Sequence, residues 1–506
     1  MKLKPIALAA LACACAAGCR TTEDVLRDYE VNLSTGNYGG STAELLELAD
    51  EKDGSELLWR LMGASTLHLM NGQEAAAIAH FDLAERVLQK NDQMSVFAQG
   101  GEGALAMMAN DRVFSYDGGG LDRVFTCVYR GIDFMCIGNR ENARVEFNRA
   151  AQYQRNWLYD RRKDIDAAAR KMASDAAASQ RQSGANANDY SPYVNRAMQD
   201  TGFGAQIRAK TGFDPATSGN LDALPQSAYV NAYAAHVGGV FRWINGDSDL
   251  NDLKLAAAVS PGNALLARDS AECAQGGRPS NQVWIWVEDG LCPIREQWDL
   301  HLPLAFIPYA GHYVKSADMA LPVLRERAYG ATQWHVRAGG GFVPMAEVEN
   351  VDQLARTEYD VFMRGALARE ITRVIVKVGL QVALAATADH VRDDNTRLAL
   401  QVVQWGVGVW SATAAAADLR SWTALPKRVM AVRLDRPADG TIQVIADGQP
   451  IPLTVPPGNS LVFIRKPGPS APPVVKMVTF QQFFSKNCQT GGGMSPNPRV
   501  KPKRKR

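Results

Sequence analysis

The chain lacks every common motif of a catalytic nucleophile or nucleotide site: Gly-x-Ser-x-Gly, a Walker loop, a dinucleotide fingerprint and His-Glu-x-x-His are all missing. Histidine is scarce, seven in 506 residues. His301 and His312 bracket an apolar stretch without carboxylates at ligand spacing, and Asp389-His390 with Asp393-Asp394 reads as a solvated loop between helices. No Cys-x-x-Cys or Cys/His cluster offers a zinc site. The triplet Gly339-Gly340-Gly341 precedes no helix that would make it a phosphate cradle, so it reads as a turn. No cofactor and no metal is therefore expected.

A dominant charge is missing too. The 55 basic and 53 acidic residues leave a net charge of +2, and six of the basic ones (Arg499, Lys501, Lys503, Arg504, Lys505, Arg506) stand in the last eight positions. Basic interactions are thus expected of the tail and not of the folded body, and binding to nucleic acid is not expected. Of eight cysteines, Cys13, Cys15 and Cys19 lie at the start, which leaves Cys127, Cys136, Cys273, Cys292 and Cys488. Cys127 and Cys136 are nine residues apart on an expected helix, a rise of about 13.5 Å that no disulfide spans. Cys273 and Cys292 flank a turn-rich segment and one strand, which makes them the expected disulfide.

Long hydrophobic runs are also few. Leu398 to Ala417 is mostly apolar, but Gln401, Gln404 and Gly406 interrupt it, so it reads as one arm of a buried helical hairpin, 351–424, and not as a membrane span. The other arm, Ile371 to Ala388, carries Arg373, Lys377 and Gln381 on one polar stripe.

The amino terminus is the most informative stretch present. Lys2 and Lys4 precede a short apolar core from Ile6 to Ala17, and Ala16-Ala17-Gly18 precede Cys19. This is the pattern of a signal peptide over 1–18 whose cut exposes a cysteine for acylation. Cys19 is the expected lipid acceptor, with Cys13 and Cys15 as rivals in poorer contexts and an ordinary secretory peptide as the alternative. Two or three acyl chains anchor a protein stably, so the mature chain is expected on the cell envelope, tethered to membrane. Arg20 at the second mature position favours the outer membrane, and the periplasmic face is the expected side.

After a linker over 19–44, residues 45–270 are rich in Ala, Leu, Glu and Arg at helical spacing. Gly131, Ala143, Phe147 and Ala150 stand at offsets of 0, 12, 16 and 19, with the turn Gly138-Asn139 between the two expected helices. An earlier copy has Gly63, the turn Asn71-Gly72, then Ala77, Phe81 and Ala84. Phe81 and Phe147 are 66 residues apart, close to two periods of a tetratricopeptide (TPR) repeat. A polar break runs from Ser174 to Asp189, and a weaker third copy follows, with Tyr229, Tyr233, Gly238, Phe241, Leu253, Ala256 and Pro261. Small residues let paired helices approach and the aromatic fills the gap; a plain helical bundle is the alternative. An array of this kind binds proteins on its curved outer surface.

The second half changes period. In 271–350, Val283-Trp-Ile-Trp-Val-Glu, Leu302 to Ile307 and Thr332 to Arg337 read as strands. In 425–485, Val429–Leu434, Thr441–Ala446, Ile451–Val455 and Leu461–Arg465 read as a small β-meander module with turns at Asp439-Gly440 and Asp447-Gly448. Residues 486–506 form a basic tail too rich in Gly and Pro for a core. The expected class is α+β: a TPR-like helical array, a mixed strand and helical-hairpin region, and a β-meander.

Four segments resemble an uncharacterised family of bacterial TPR-like surface lipoproteins: Phe114-Ser-Tyr-Asp-Gly-Gly-Gly-Leu-Asp-Arg-Val, Gly290-Leu-Cys-Pro-Ile-Arg-Glu, Ala320-Leu-Pro, and Ala417-Asp-Leu-Arg-Ser-Trp-Thr-Ala-Leu-Pro-Lys-Arg. The cysteine in Gly-Leu-Cys-Pro and the long basic tail depart from that pattern. The resemblance implies envelope association and a place in envelope or peptidoglycan assembly, with no activity to transfer. The leading expectation is a noncatalytic scaffold that binds an envelope protein, with a tail suited to an anionic cell-wall polymer or lipid. An enzyme acting on cell-wall polymer through an unrecognised site is the alternative. Cys19→Ala should release the protein from the membrane fraction and abolish labelling by a clickable palmitate analogue; undiminished labelling would move the acceptor elsewhere.

Overall fold

Helices fill the amino-terminal half and strands the carboxy-terminal half, an α+β arrangement. The structure, a computed structural model, describes residues 22–51, 54–93, 115–183, 191–218, 220–224, 229–247, 251–303, 317–390 and 416–480. Cys19, the second arm of the expected hairpin over 391–415 and the basic tail lie outside the described residues.

The stretch read as a linker is largely helical. Val25, Tyr29 and Leu33 recur every fourth residue, so α1 (Thr22–Thr35) has one apolar face, and all three are buried. Helices α2 (Thr42–Asp50), α3 (Glu56–His68) and α4 (Glu74–Gln93) follow. Next come α5 (Gly120–Cys136) and α6 (Arg140–Ser183). At 44 residues α6 is about 66 Å long and continues into the expected polar break. Short helices α7 (Ser191–Gln199) and α8 (Thr201–Thr211) lead to α9 (Ala232–Asn245), α10 (Asn251–Val259) and α11 (Ala264–Ala274).

The strands are β1 (Gln282–Asp289), β2 (Ile294–His301), β3 (Asp318–Arg325), β4 (Trp334–Ala338), β5 (Gly341–Pro344) and β6 (Ala346–Asn350). A 40-residue helix, α12 (Val351–His390), separates these from β7 (Arg428–Asp435), β8 (Thr441–Ala446), β9 (Gln449–Thr454), β10 (Asn459–Lys466) and β11 (Val474–Phe480). Of the strand expected over Leu302 to Ile307, Leu302 and Pro303 follow the end of β2 at His301, and residues 304–307 lie outside the described residues. None of the described helices is long and apolar enough to cross a membrane.

The expected meander is corrected by the pairing. Strands β7 and β10 join a five-stranded sheet of order β11-β10-β1-β7-β6, whereas β8 and β9 complete a four-stranded sheet of order β5-β4-β8-β9. Strand β1 lies at the centre, parallel to β10 and antiparallel to β7. The physical reason is burial. Strand β10 is buried at every position but the last, so it needs cover on both faces, which a free-standing meander cannot supply.

The central sheet lies between two cores. Trp284, Trp286, Leu461, Phe463, Val429 and Ala431 face the helices. Val283, Ile285, Val287, Val462, Ile464 and Val432 face the second sheet, against Val336, Ile442, Val444 and Leu453. A third core joins α7, α8 and the β2-β3 hairpin to α12 through Phe203, Ile207, Phe213, Met319, Leu321, Met363 and Leu367. The helical region and the carboxy-terminal strands thus share one interior, with Phe241 and Phe480 ring centroids 6.2 Å apart.

Candidate functional site

Of the expected repeat-packing glycines, Gly131 makes the close helix contact and Gly63 meets a different helix. A β-carbon at Gly131 would stand 2.8 Å from the Phe147 ring, so glycine is what lets α5 and α6 close together. Ala143 and Ala150 are buried beside that contact. In the earlier hairpin Ala77, Phe81 and Ala84 are buried, but Gly63 is pressed against Leu46 of α2 and not against Phe81. The third pair, α9 and α10, closes through Gly239 on Leu253, and Gly238 meets Phe147.

The expected disulfide is absent: Cys273 and Cys292 are both free and buried. Strand β1 stands between them. Cys273 is one turn beyond Asp269, which is bonded to Trp284 near the start of the strand, whereas Cys292 follows its end. Eight strand residues extend about 26 Å, far beyond disulfide reach. Cys292 instead turns its Sγ to the Trp422 carbonyl, 3.6 Å away, and burial pushes its thiol up to about 11. Cys127 and Cys136 are free as well.

Three of the four segments that carried the family resemblance meet in space. The Cys292 amide donates to the Leu425 carbonyl, and Arg327 ties the Cys292 and Thr423 carbonyls together. Arg295 donates to the Arg420 carbonyl, and Arg420 holds Asp418 with two hydrogen bonds and lies over the Tyr116 ring. The Trp422 indole donates to Ser65 and lies edge-on to Tyr129. At the start of α5, the Tyr116 hydroxyl and Gly119 amide both donate to Asp122 Oδ2, at 2.5 and 2.7 Å. Glu358 of α12 enters the same helix end: the Gly120 amide donates to its Oε1 at 2.5 Å, and the Tyr229 hydroxyl to its Oε2 at 3.2 Å.

Beside this junction the sheet supplies two buried polar centres that motif reasoning missed. Glu288 of β1 accepts from Tyr233 at 2.9 Å and Tyr129 at 3.1 Å, one hydroxyl from each of two helical hairpins, with Arg465 Nε 3.7 Å away. Burial first, and the Glu288 charge second, keep both tyrosines far above their ordinary ionisation. At the other end of β1, Asp269 accepts from Trp284 at 2.8 Å, His236 Nε2 at 2.9 Å and Arg433 at 2.9 Å. Trp286 donates to His236 Nδ1 at 3.1 Å, and since an indole nitrogen only donates, the His236 proton sits on Nε2. Both imidazole nitrogens are committed. Burial raises the Asp269 carboxyl, but its hydrogen bonds outweigh that and hold it below the usual range. The pattern Trp284, Trp286, Glu288 was the available signal: alternate strand residues share a face.

Arg433 is flanked by the rings of Trp243 and Trp284, about 5 Å from each, and borders a shallow cleft of about 400 Å³ lined also by Glu272, Gln275, Arg278 and Gln282. It is already bonded to Asp269, Glu272 and Gln282. Among the described residues no group of three His, Cys, Asp or Glu is placed to hold a metal ion.

No known protein family, curated protein or solved structure matches this chain.

Two buried carboxyls make stability depend on pH. Burial, with Glu358 adding repulsion, pushes Asp122 up to about 6; burial pushes Glu349, which accepts from the Ala232 amide at the start of α9, up to about 8. A raised carboxyl keeps its proton when folded and loses it when unfolded, so its stabilisation is complete below the ordinary carboxylate range and declines as pH rises through the folded value. The free energy of unfolding should therefore fall between pH 5 and pH 8.5, by on the order of 5 kcal/mol. Glu349→Gln should flatten the portion above pH 6, and an unchanged slope in that variant would refute the assignment.

Proposed function

We propose that this protein is a lipid-anchored envelope lipoprotein, acylated at Cys19, that serves as a noncatalytic scaffold for an envelope protein. Its paired helices act in this reading as a TPR-like array, and its place is in cell-envelope or peptidoglycan assembly, on the periplasmic face of the outer membrane. The contacts of Gly131 with Phe147 and Gly239 with Leu253 support this. One observation carries most weight. The outer side of the α5–α6 hairpin exposes Ile137, Val145 and Tyr159, the last of them 71% exposed, while the polar centres inside are bonded to partners within the chain. Val145 and Tyr159 lie on one face of α6, about 21 Å apart along it, and exposed apolar side chains aligned on a charged helix suit an extended protein contact. The basic tail, Arg499 to Arg506, adds in this proposal a salt-sensitive hold on an anionic cell-wall polymer or lipid surface.

Pull-down from detergent-solubilised membranes tests the scaffold. The intact chain should capture a defined envelope protein. Val145→Glu with Tyr159→Ala should lose at least tenfold of that capture without lowering the melting temperature, because both side chains are exposed. Equal capture by the double variant would contradict the assigned face.

A further inference from the structure

The start of α5 is built to hold a carboxylate, and the chain fills it with one of its own. Helix α5 has 17 residues, so its first amides present a substantial partial positive charge. Gly119 and Gly120 leave the amides bare: a β-carbon at Gly119 would stand 2.3 Å from Glu358 Oε1, and one at Gly120 2.5 Å from both Trp157 and Tyr229. The Gly120 and Leu121 amides donate to the two Glu358 oxygens, and the Tyr229 hydroxyl adds a third bond.

The internal occupant does not use everything the cradle offers. Trp157 is buried, and its ring stacks on Tyr229 with centroids 4.2 Å apart. Its Nε1 lies 2.6 Å from where a Gly120 β-carbon would be, yet it has no hydrogen-bond partner. A buried indole N–H left without an acceptor is unfavourable by about 1–3 kcal/mol. Glu358 approaches from α12 and satisfies the amides but not this donor. Its neighbour Asp122, buried and bonded to Tyr116 and Gly119, adds like-charge repulsion. A carboxylate not tied to α12 can meet the amides, Tyr229 and Trp157 together. Repulsion from Asp122 also sets the ligand class, since a dianionic phosphate is disfavoured beside it relative to a monoanion.

We propose that the amino-terminal end of α5 is a monocarboxylate-binding site that Glu358 occupies in cis, and that a carboxylate of a peptide partner exchanges for Glu358 there. Glu358 is only partly buried, so the cradle has a route to solvent. Exchange would free the second turn of α12 from α5, linking occupancy to the seating of that helix. The proposal rests on the scaffold reading for its partner, though the site itself stands on the geometry.

Thermal unfolding of the full chain in acetate tests it, with sulfate at matched ionic strength as control. Glu358→Ala should melt below the wild type, and acetate at tens of millimolar should raise its melting temperature by several degrees in a saturable way, at least threefold more than it raises that of the wild type. Glu358→Asp, which shortens the internal carboxylate but keeps its charge on α12, should respond in the same direction and serves if the alanine variant does not fold. Trp157→Phe keeps the ring and removes the N–H. Its melting temperature without acetate is the reference in each background, and in the Glu358 variants it should weaken the acetate response several-fold. An acetylated tripeptide with a free terminal carboxylate should stabilise the Glu358 variants, and its amidated form should not. Equal acetate shifts in wild type and variants, or a response indifferent to Trp157→Phe, would overturn the site. Loss of the envelope partner in pull-downs with the acetate response intact would count against the scaffold reading alone.

Discussion

Strand β1 is the constraint on which the rest of the structure depends. Its alternate residues face two different interiors: Trp284, Trp286 and Glu288 toward the helices, Val283, Ile285 and Val287 toward the second sheet. The two indoles alone contribute up to about 5 kcal/mol each by burial. They also act as donors, to Asp269 and His236, so the apolar payload is oriented by hydrogen bonds. Glu288 completes the row by accepting from Tyr129 of α5 and Tyr233 of α9. Removing one member of such a buried, charge-bearing set costs about 3–5 kcal/mol. One strand therefore holds two helical hairpins in register with each other and with the sheet.

Carboxyl groups extend the same principle to the helix ends. Glu358 meets the start of α5 and Glu349 the start of α9, and both come from the short segment where β6 passes into α12. That segment thus anchors α12 to the helical region by hydrogen bonds at two points, while Phe203, Ile207, Met363 and Leu367 anchor it to α7, α8 and the β2-β3 hairpin by apolar contact. The proposed exchange at α5 acts on one of those two points and leaves the other closed.

Local features were legible in the amino-acid sequence and long-range pairings were not. Gly131 and Phe147 could be read because they are 16 residues apart on adjoining helices, and Val283-Trp-Ile-Trp-Val-Glu because its alternation is local. The assignment of β7 and β10 to one sheet and β8 and β9 to another depends on β1, more than 130 residues earlier. The polar centres have the same character: Glu288 and Tyr129 are 159 residues apart, Glu358 and Gly120 238 apart. Helix α1 escaped notice because three apolar residues, Val25, Tyr29 and Leu33, are all that mark its face. The disulfide failed because the turn-rich segment before β1 does not fold back along the strand, so Cys273 stays near the start of β1 and Cys292 past its end. Of the candidate site, the segments were visible as marks of resemblance, but their convergence on Cys292, Trp422 and the start of α5 came only with the fold.

Hydrogen exchange in mild denaturant, read by mass spectrometry, tests the central role of β1 most directly. Peptides covering β1, the middle of α5 and the middle of α9 should lose protection in a single cooperative opening, at the same denaturant concentration and with the same free energy, because Glu288 and the two indoles join them. Opening of α5 and α9 well before β1, with β1 still protected, would contradict the account and make the helical region and the sheet separate units.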